Sequence, residues 1–135
     1  MKLNHLNLCV YDLSEAVVFF QNLFDFQLLG QKGDFIAAMT DGHGFSLVLS
    51  KLRSDQDEVT TYPKDFHLGF YVETITEVDQ FHEKLASVGI ASEDEPRMIG
   101  IGYTLYFRAL GGILFEVTCH TISFDALVDI NDYLN

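Results

Sequence analysis

An α+β fold is what this sequence of 135 residues predicts, built from two βαβββ modules that form a curved, mainly antiparallel sheet with an open cleft and helices on the outer face. Three observations predict it. The chain repeats itself, each half carries the same order of elements, and strand alternation puts the same kinds of residue on the same face in both halves.

The repeat emerges when the sequence is shifted by 62 positions. Asn4-His5-Leu6-Asn7-Leu8-Cys9-Val10 then lies on Phe66-His67-Leu68-Gly69-Phe70-Tyr71-Val72, Phe19 on Phe81, and Leu23 on Leu85. The second half is slightly longer, so its later part aligns at a shift of 68, which brings Gly44 onto Gly112, Leu47 onto Phe115 and Val48 onto Glu116.

The elements follow in order. Residues 2–10 alternate as a strand does, and Asp12 or Ser14 can cap a helix whose apolar positions are Leu13, Ala16, Val17, Phe20, Leu23 and Phe24. Strands are expected near 26–31, 35–40 and 45–50, punctuated by Gly30, Gly33, Asp41-Gly42 and Gly44. Residues 1–51 therefore read as the first module, and the polar stretch 52–65 with Pro63 as a linker. The second module, 66–120, has a strand at 66–72 and a helix near 75–88 with Ile75, Val78, Phe81, Leu85 and Val88 inward and Gly89 as its stop. Strands near 90–94, 102–108 and 113–119 complete it, and the tail 121–135 is expected to hold a short acidic helix over 123–134.

Composition narrows the function. The net charge of −12, from 8 basic and 20 acidic residues, argues against nucleic acid, which needs a clustered cationic surface. It would also repel a strongly anionic substrate unless a metal reversed the local field. No apolar run reaches the roughly 18 residues a membrane helix needs, and Met1-Lys2-Leu3-Asn4-His5 turns polar too soon for a signal peptide. Two cysteines, Cys9 and Cys119, are too few for a disulfide framework. The expectation is a soluble, reduced, cytoplasmic protein.

Strand parity selects the chemistry. If Leu6, Leu8 and Val10 face the helix, then His5, Asn7 and Cys9 face away; likewise Leu68, Phe70 and Val72 leave His67, Gly69 and Tyr71. In the last strand Ile113, Phe115 and Val117 leave Leu114, Glu116 and Thr118. Both histidines and the glutamate thus fall on the helix-free face. A carboxylate inside Leu114-Phe115-Glu116-Val117 is costly to bury without a partner. Two imidazoles and a carboxylate suit a divalent metal such as Fe(II), Mn(II), Ni(II) or Zn(II). The other reading is three unrelated residues, each histidine satisfied by a local hydrogen bond and Glu116 exposed at a shallow edge. The equivalence of His5 and His67 and the shared parity favour the metal.

The run Asn4-His5-Leu6-Asn7-Leu8-Cys9-Val10-Tyr11-Asp12-Leu13, followed by Phe19 to Phe26, resembles the opening of vicinal oxygen chelate proteins, the glyoxalase, bleomycin-resistance and extradiol-dioxygenase group. Phe66 to Val72 resembles their second ligand strand, and Tyr103 to Arg108 through Gly112 to Val117 their closing hairpin. The resemblance, over about 3–119, implies that His5, His67 and Glu116 bind the metal and that a substrate chelates it through two neighbouring oxygens. Val48 stands where glyoxalase I enzymes carry a carboxylate ligand, and Ala109-Leu110-Gly111-Gly112 replaces the family's usual Asp-Pro-Asp-Gly turn; both mark a divergent member. Fosfomycin-resistance transferases also use three ligands but surround an anionic drug with basic side chains, for which only Arg97 and Arg108 are candidates.

Tyr106 shares a hairpin with Glu116 and is the candidate catalytic hydrogen-bond donor or acid, as a similarly placed tyrosine is in extradiol dioxygenases. Asn7, Val48, Tyr71 and Arg108 are expected to line the substrate pocket, Arg108 as a partner for an acidic group. His43, His82 and His120 do not repeat and are expected to be structural or exposed; Cys119 is expected in the core and Cys9 on the cleft side. The leading expectation is a metal-dependent lyase, dioxygenase or transferase that acts on a small oxygenated molecule. The alternative is a metal-free protein that sequesters a cationic ligand, as bleomycin-resistance proteins do. A homodimer is expected because each half-sheet has an edge that wants covering.

Overall fold

The computed structural model describes residues 1–52 and 62–121, so residues 53–61 of the linker and the expected helix over 123–134 lie outside the described residues. The chain divides into two compact units, Met1–Thr61 and Tyr62–Asn135. The first contains β1 (His5–Val10), α1 (Leu13–Phe24), β2 (Gln27–Lys32), β3 (Ile36–Thr40) and β4 (Ser46–Lys51). The second contains β5 (His67–Tyr71), α2 (Ile75–Ser87), β6 (Arg97–Ile99), β7 (Gly102–Ala109) and β8 (Ile113–His120). Each therefore has the βαβββ order the sequence predicts. Each sheet is four-stranded and open, in the orders β1-β4-β3-β2 and β5-β8-β7-β6. Two of its three ladders are antiparallel, and the first strand of each unit runs parallel to the last. A parallel pair needs a crossover between its strands, and in each unit the crossover includes the helix and the two antiparallel strands.

The helices start where their caps sit. The Glu15 N–H donates to Asp12 Oδ1 at 3.0 Å, so Asp12 caps α1, while Thr74 Oγ1 accepts from the Glu77 N–H at 3.2 Å. Glu77 in turn accepts the Glu73 N–H at 3.0 Å, a near-reciprocal arrangement that satisfies two otherwise orphaned donors. α1 ends on Asp25, held left-handed at φ 58, and Gly89, at φ 77, follows α2.

α1 packs on β4, β3 and β2, burying Leu13, Ala16, Val17, Phe19, Phe20 and Leu23 against Leu47, Leu49, Ala37 and Met39. Of the expected apolar face, Phe24 is only half-buried and Phe19 is buried in addition. α2 packs on β7 and β8, with Val78 and Leu85 buried beside Leu105, Phe107, Phe115 and Val117. Phe81 is half-buried, its ring tilted against that of Phe107 at 5.8 Å between centroids. Ile75 and Val88, expected inward, are 45% and 53% exposed because they occupy the first helical residue and the C-cap, where the helix overhangs the sheet. On the sheet side Tyr103 donates to Asp79 Oδ1 at 2.6 Å, which ties β7 to α2 and holds the phenol above its usual range.

One expected strand is misplaced. Residues 90–94 form no strand; the pairing partner of β7 is Arg97–Ile99 instead. The acidic run Glu93-Asp94-Glu95 and Pro96 have low strand propensity, and proline cannot donate to a ladder. The chain extends only after them and turns at Gly100, whose φ of 59 suits the two-residue link between Ile99 and Gly102.

Candidate functional site

Parity holds within each unit. In the first, parallel pairing puts His5 beside Ser46, Asn7 beside Val48 and Cys9 beside Ser50, while Leu47, Leu49, Leu8 and Val10 go into the core on the opposite face. In the second, His67 pairs with Leu114, Gly69 with Glu116 and Tyr71 with Thr118, opposite the buried Phe115 and Val117. The two shifts read from sequence meet in one register. Val48 stands to Asn7 as Glu116 stands to Gly69.

Glu116 lies at the centre of the second face. Its neighbour on β5 is Gly69, and a side chain there would stand 3.6 Å from Glu116 Oε2. That is ordinary contact distance, and the carboxylate lies toward His67, two residues back from Gly69 on the same strand face. His67 Nε2 and Glu116 Oε2 are 3.1 Å apart, with the carboxylate side chain 20% exposed. On the other flank, Tyr106 pairs with Glu116 across β7 and β8 and sets its ring edge-on to His67, centroids 6.0 Å apart. His67, Glu116 and Tyr106 are thus brought together.

The His67 ring orientation is set from behind. Its Nδ1 lies 2.9 Å from the Asp65 carbonyl oxygen, an atom that can only accept, so Nδ1 carries the proton. In a neutral ring Nε2 then holds a lone pair, aimed at a carboxylate that offers only lone pairs. The contact is favourable with a cation at Nε2, either a proton or a metal ion. His5 has the same tautomer by a different route: its Nδ1 donates to Asn4 Oδ1 at 2.7 Å, which leaves Nε2 as the presented atom. Within neither unit do three His, Cys, Asp or Glu side chains gather as a metal-sized cluster among the described residues.

Tyr71, 58% exposed, packs against His120 with centroids 5.2 Å apart, two strand repeats beyond His67. Arg108 directs its guanidinium to backbone, Nη1 to the Gly112 oxygen at 2.9 Å and Nη2 to the Lys64 oxygen at 3.3 Å. Arg97 lies 3.8 Å from Asp94, both well exposed. Asn7 is exposed, and Val48 is half-buried beside it. Thr118 faces away from the helix as expected but is buried, because its hydroxyl pairs with that of Thr104 at 2.7 Å over the bare Gly102. Cys119 is in the core, and Cys9 is half-buried on the face of His5. Sequence reasoning missed Asn4 and Asp65. The alignment of Asn4 with Phe66 signalled that the second histidine needed another acceptor, but a backbone carbonyl leaves no mark in residue type.

The model of the Glyoxalase/Bleomycin resistance protein/Dioxygenase superfamily matches residues 2–117. No curated protein matches the chain. A solved structure described as a possible glyoxalase from Bacillus cereus is 36% identical, covers 88% of this chain and 99% of that one, and superposes with a TM-score of 0.77. The genomically encoded fosfomycin resistance protein FosX from Listeria monocytogenes is 27% identical over 90% of this chain and 92% of its own, at a TM-score of 0.69. That Listeria protein is also described complexed with Mn(II) and sulfate. A glyoxylase/bleomycin resistance protein/dioxygenase domain from Frankia is 25% identical over 89% and 98% of the two chains, with a TM-score of 0.74.

Proposed function

We propose, for a chain that belongs to the Glyoxalase/Bleomycin resistance protein/Dioxygenase superfamily, a metal-dependent enzyme acting on a small oxygenated organic substrate. The observation that carries this reading is the His67–Glu116 pair, two lone-pair donors 3.1 Å apart with the histidine tautomer fixed from behind. Donors each about 2.1–2.2 Å from one ion and about 90° apart stand roughly 3.0–3.1 Å from each other, so the donor set fits a divalent metal. His5, equivalent by repeat and presenting the same nitrogen, is the third ligand on this reading. A bound Fe(II), Mn(II), Ni(II) or Zn(II) would supply Lewis acidity to two neighbouring substrate oxygens.

The chain's own residues do the rest. His67 and Glu116 hold the charge of the ion, and valine at position 48 offers no donor, which leaves coordination to substrate. Tyr106, opposite Glu116 in the ladder, serves as the hydrogen-bond donor or acid toward a substrate oxygen. Neither Arg97 nor Arg108 supports a strongly anionic substrate of the fosfomycin kind, since one faces Asp94 and the other bonds backbone carbonyls. No helix among the described residues is long and apolar enough to cross a membrane, and we place the reaction in the cytoplasm. The assembly on this reading is a homodimer: the edge strands β2 and β6 expose Leu28, Leu29, Met98 and Ile99.

Metal analysis of protein purified without chelator and then equilibrated with Mn(II), the ion described for FosX, tests the reading. One ion per chain is expected, with thermal unfolding stabilised by about 2.7 kcal/mol at a hundredfold excess over Kd. Substoichiometric metal with an unchanged melt overturns it in favour of a metal-free sequestering protein.

A further inference from the structure

We propose that Arg108 is a positioning residue that sets the tautomer and aim of His67 by bridging two backbone carbonyls; this rests on the reading of His67 as a metal ligand. The two units hold their histidines in the same tautomer by different means. In the first, the residue before the histidine is Asn4, whose Oδ1 takes the Nδ1 proton directly. In the second, that position is Phe66, which offers no side-chain acceptor, and the acceptor becomes the Asp65 carbonyl at 2.9 Å. A carbonyl can do this only if the chain around it is held. Pro63 to Phe66 form a tight turn closed by the Phe66 N–H on the Pro63 oxygen at 3.1 Å, and the Tyr62 and Phe66 rings stack across it at 4.6 Å.

Arg108 anchors that turn to the β7–β8 hairpin. One arm of its guanidinium takes the Gly112 oxygen inside the hairpin, and the other takes the Lys64 oxygen, on the residue immediately before Asp65. The same hairpin carries Glu116, so a single side chain links the segment that orients His67 to the strand that bears its partner. The repeat places Thr40 at the equivalent position of the first unit, too short for such a span and not needed there, because Asn4 lies beside its histidine. The planar fork of arginine suits two carbonyls at once, whereas a lysine ammonium is a single point of charge. Residues that orient a ligating histidine through its second nitrogen typically change metal affinity by about 10–100-fold.

The test is the His67 ring proton on Nδ1, observed by ¹⁵N-edited NMR in metal-free and Zn(II)-loaded protein, together with Zn(II) affinity. In the wild type the bond to the Asp65 carbonyl is expected to retard exchange of the Nδ1 proton with water in both forms. Arg108→Ala is expected to speed that exchange in both forms and to weaken Zn(II) by about 10-fold or more, and Arg108→Lys is expected to behave like Arg108→Ala. Unchanged exchange and affinity in Arg108→Ala overturn the proposal while leaving the metal reading intact. Full restoration by Arg108→Lys overturns the two-carbonyl bridge as its basis. If the wild type takes up neither Zn(II) nor Mn(II), the metal reading fails, and accelerated Nδ1 exchange in metal-free Arg108→Ala still supports the hold on His67.

Discussion

Replacing His67 with alanine is expected to weaken divalent-metal binding by more than about 100-fold, since even an outer partner of a ligand commonly costs about 10–100-fold. The fold should survive. His67 is exposed and its truncation removes little packing, so the cost in chelator is that of leaving Glu116 without its imidazole partner, about 1–3 kcal/mol. Calorimetric titration with Mn(II) checks the first part and urea unfolding in chelator the second. If His67→Ala binds metal as tightly as the wild type, the imidazole is a structural partner of Glu116 and nothing more.

The second large effect concerns Val48, the position at which the chain departs from its own symmetry. Its neighbour in the ladder is Asn7, as Gly69 is the neighbour of Glu116, and its side chain is half-buried on the face opposite Leu47 and Leu49. Val48→Glu is expected to add a carboxylate donor and raise metal affinity about 10-fold or more, equivalent to roughly 1.4 kcal/mol. Without metal the same carboxylate has no partner, so unfolding in chelator should come about 1–3 kcal/mol earlier. Turnover should fall, because the new ligand occupies a position left to substrate. Thermal melts with and without Mn(II) decide it. A melt lowered equally in both conditions means that residue 48 does not face the ion.

That departure was legible because the repeat carried so much of the fold. Shifts of 62 and 68 read from the sequence place Asn7 on Gly69 and Val48 on Glu116, and the ladders pair Asn7 with Val48 in the first unit as they pair Gly69 with Glu116 in the second. Alternation along β1, β5 and β8 identified the helix-free face for the same reason: one face of each strand is filled with Leu, Phe and Val and has a single place to go. Short apolar content was less informative. Ile90 and Ala91 resemble a strand start, yet the acidic run and Pro96 that follow delay pairing until Arg97. At the site, residue types announced donors but not their orientation. Asp65 acts through its backbone, and Arg108 reads as a substrate partner until its two carbonyl bonds are seen. Tyr71 has the parity of a pocket residue but pairs with His120, a contact set by where β8 ends.

On the proposed reading one ion takes two imidazoles, those of His5 and His67, and electron spin-echo envelope modulation of the Mn(II)-loaded protein tests that. Nitrogen couplings from directly bound imidazoles can be counted, and isotopic labelling of histidine assigns them. Two coupled imidazoles are expected in the wild type, one in His5→Ala and one in His67→Ala. A wild-type spectrum with one imidazole or none, or a His5→Ala spectrum identical to the wild type, would contradict it.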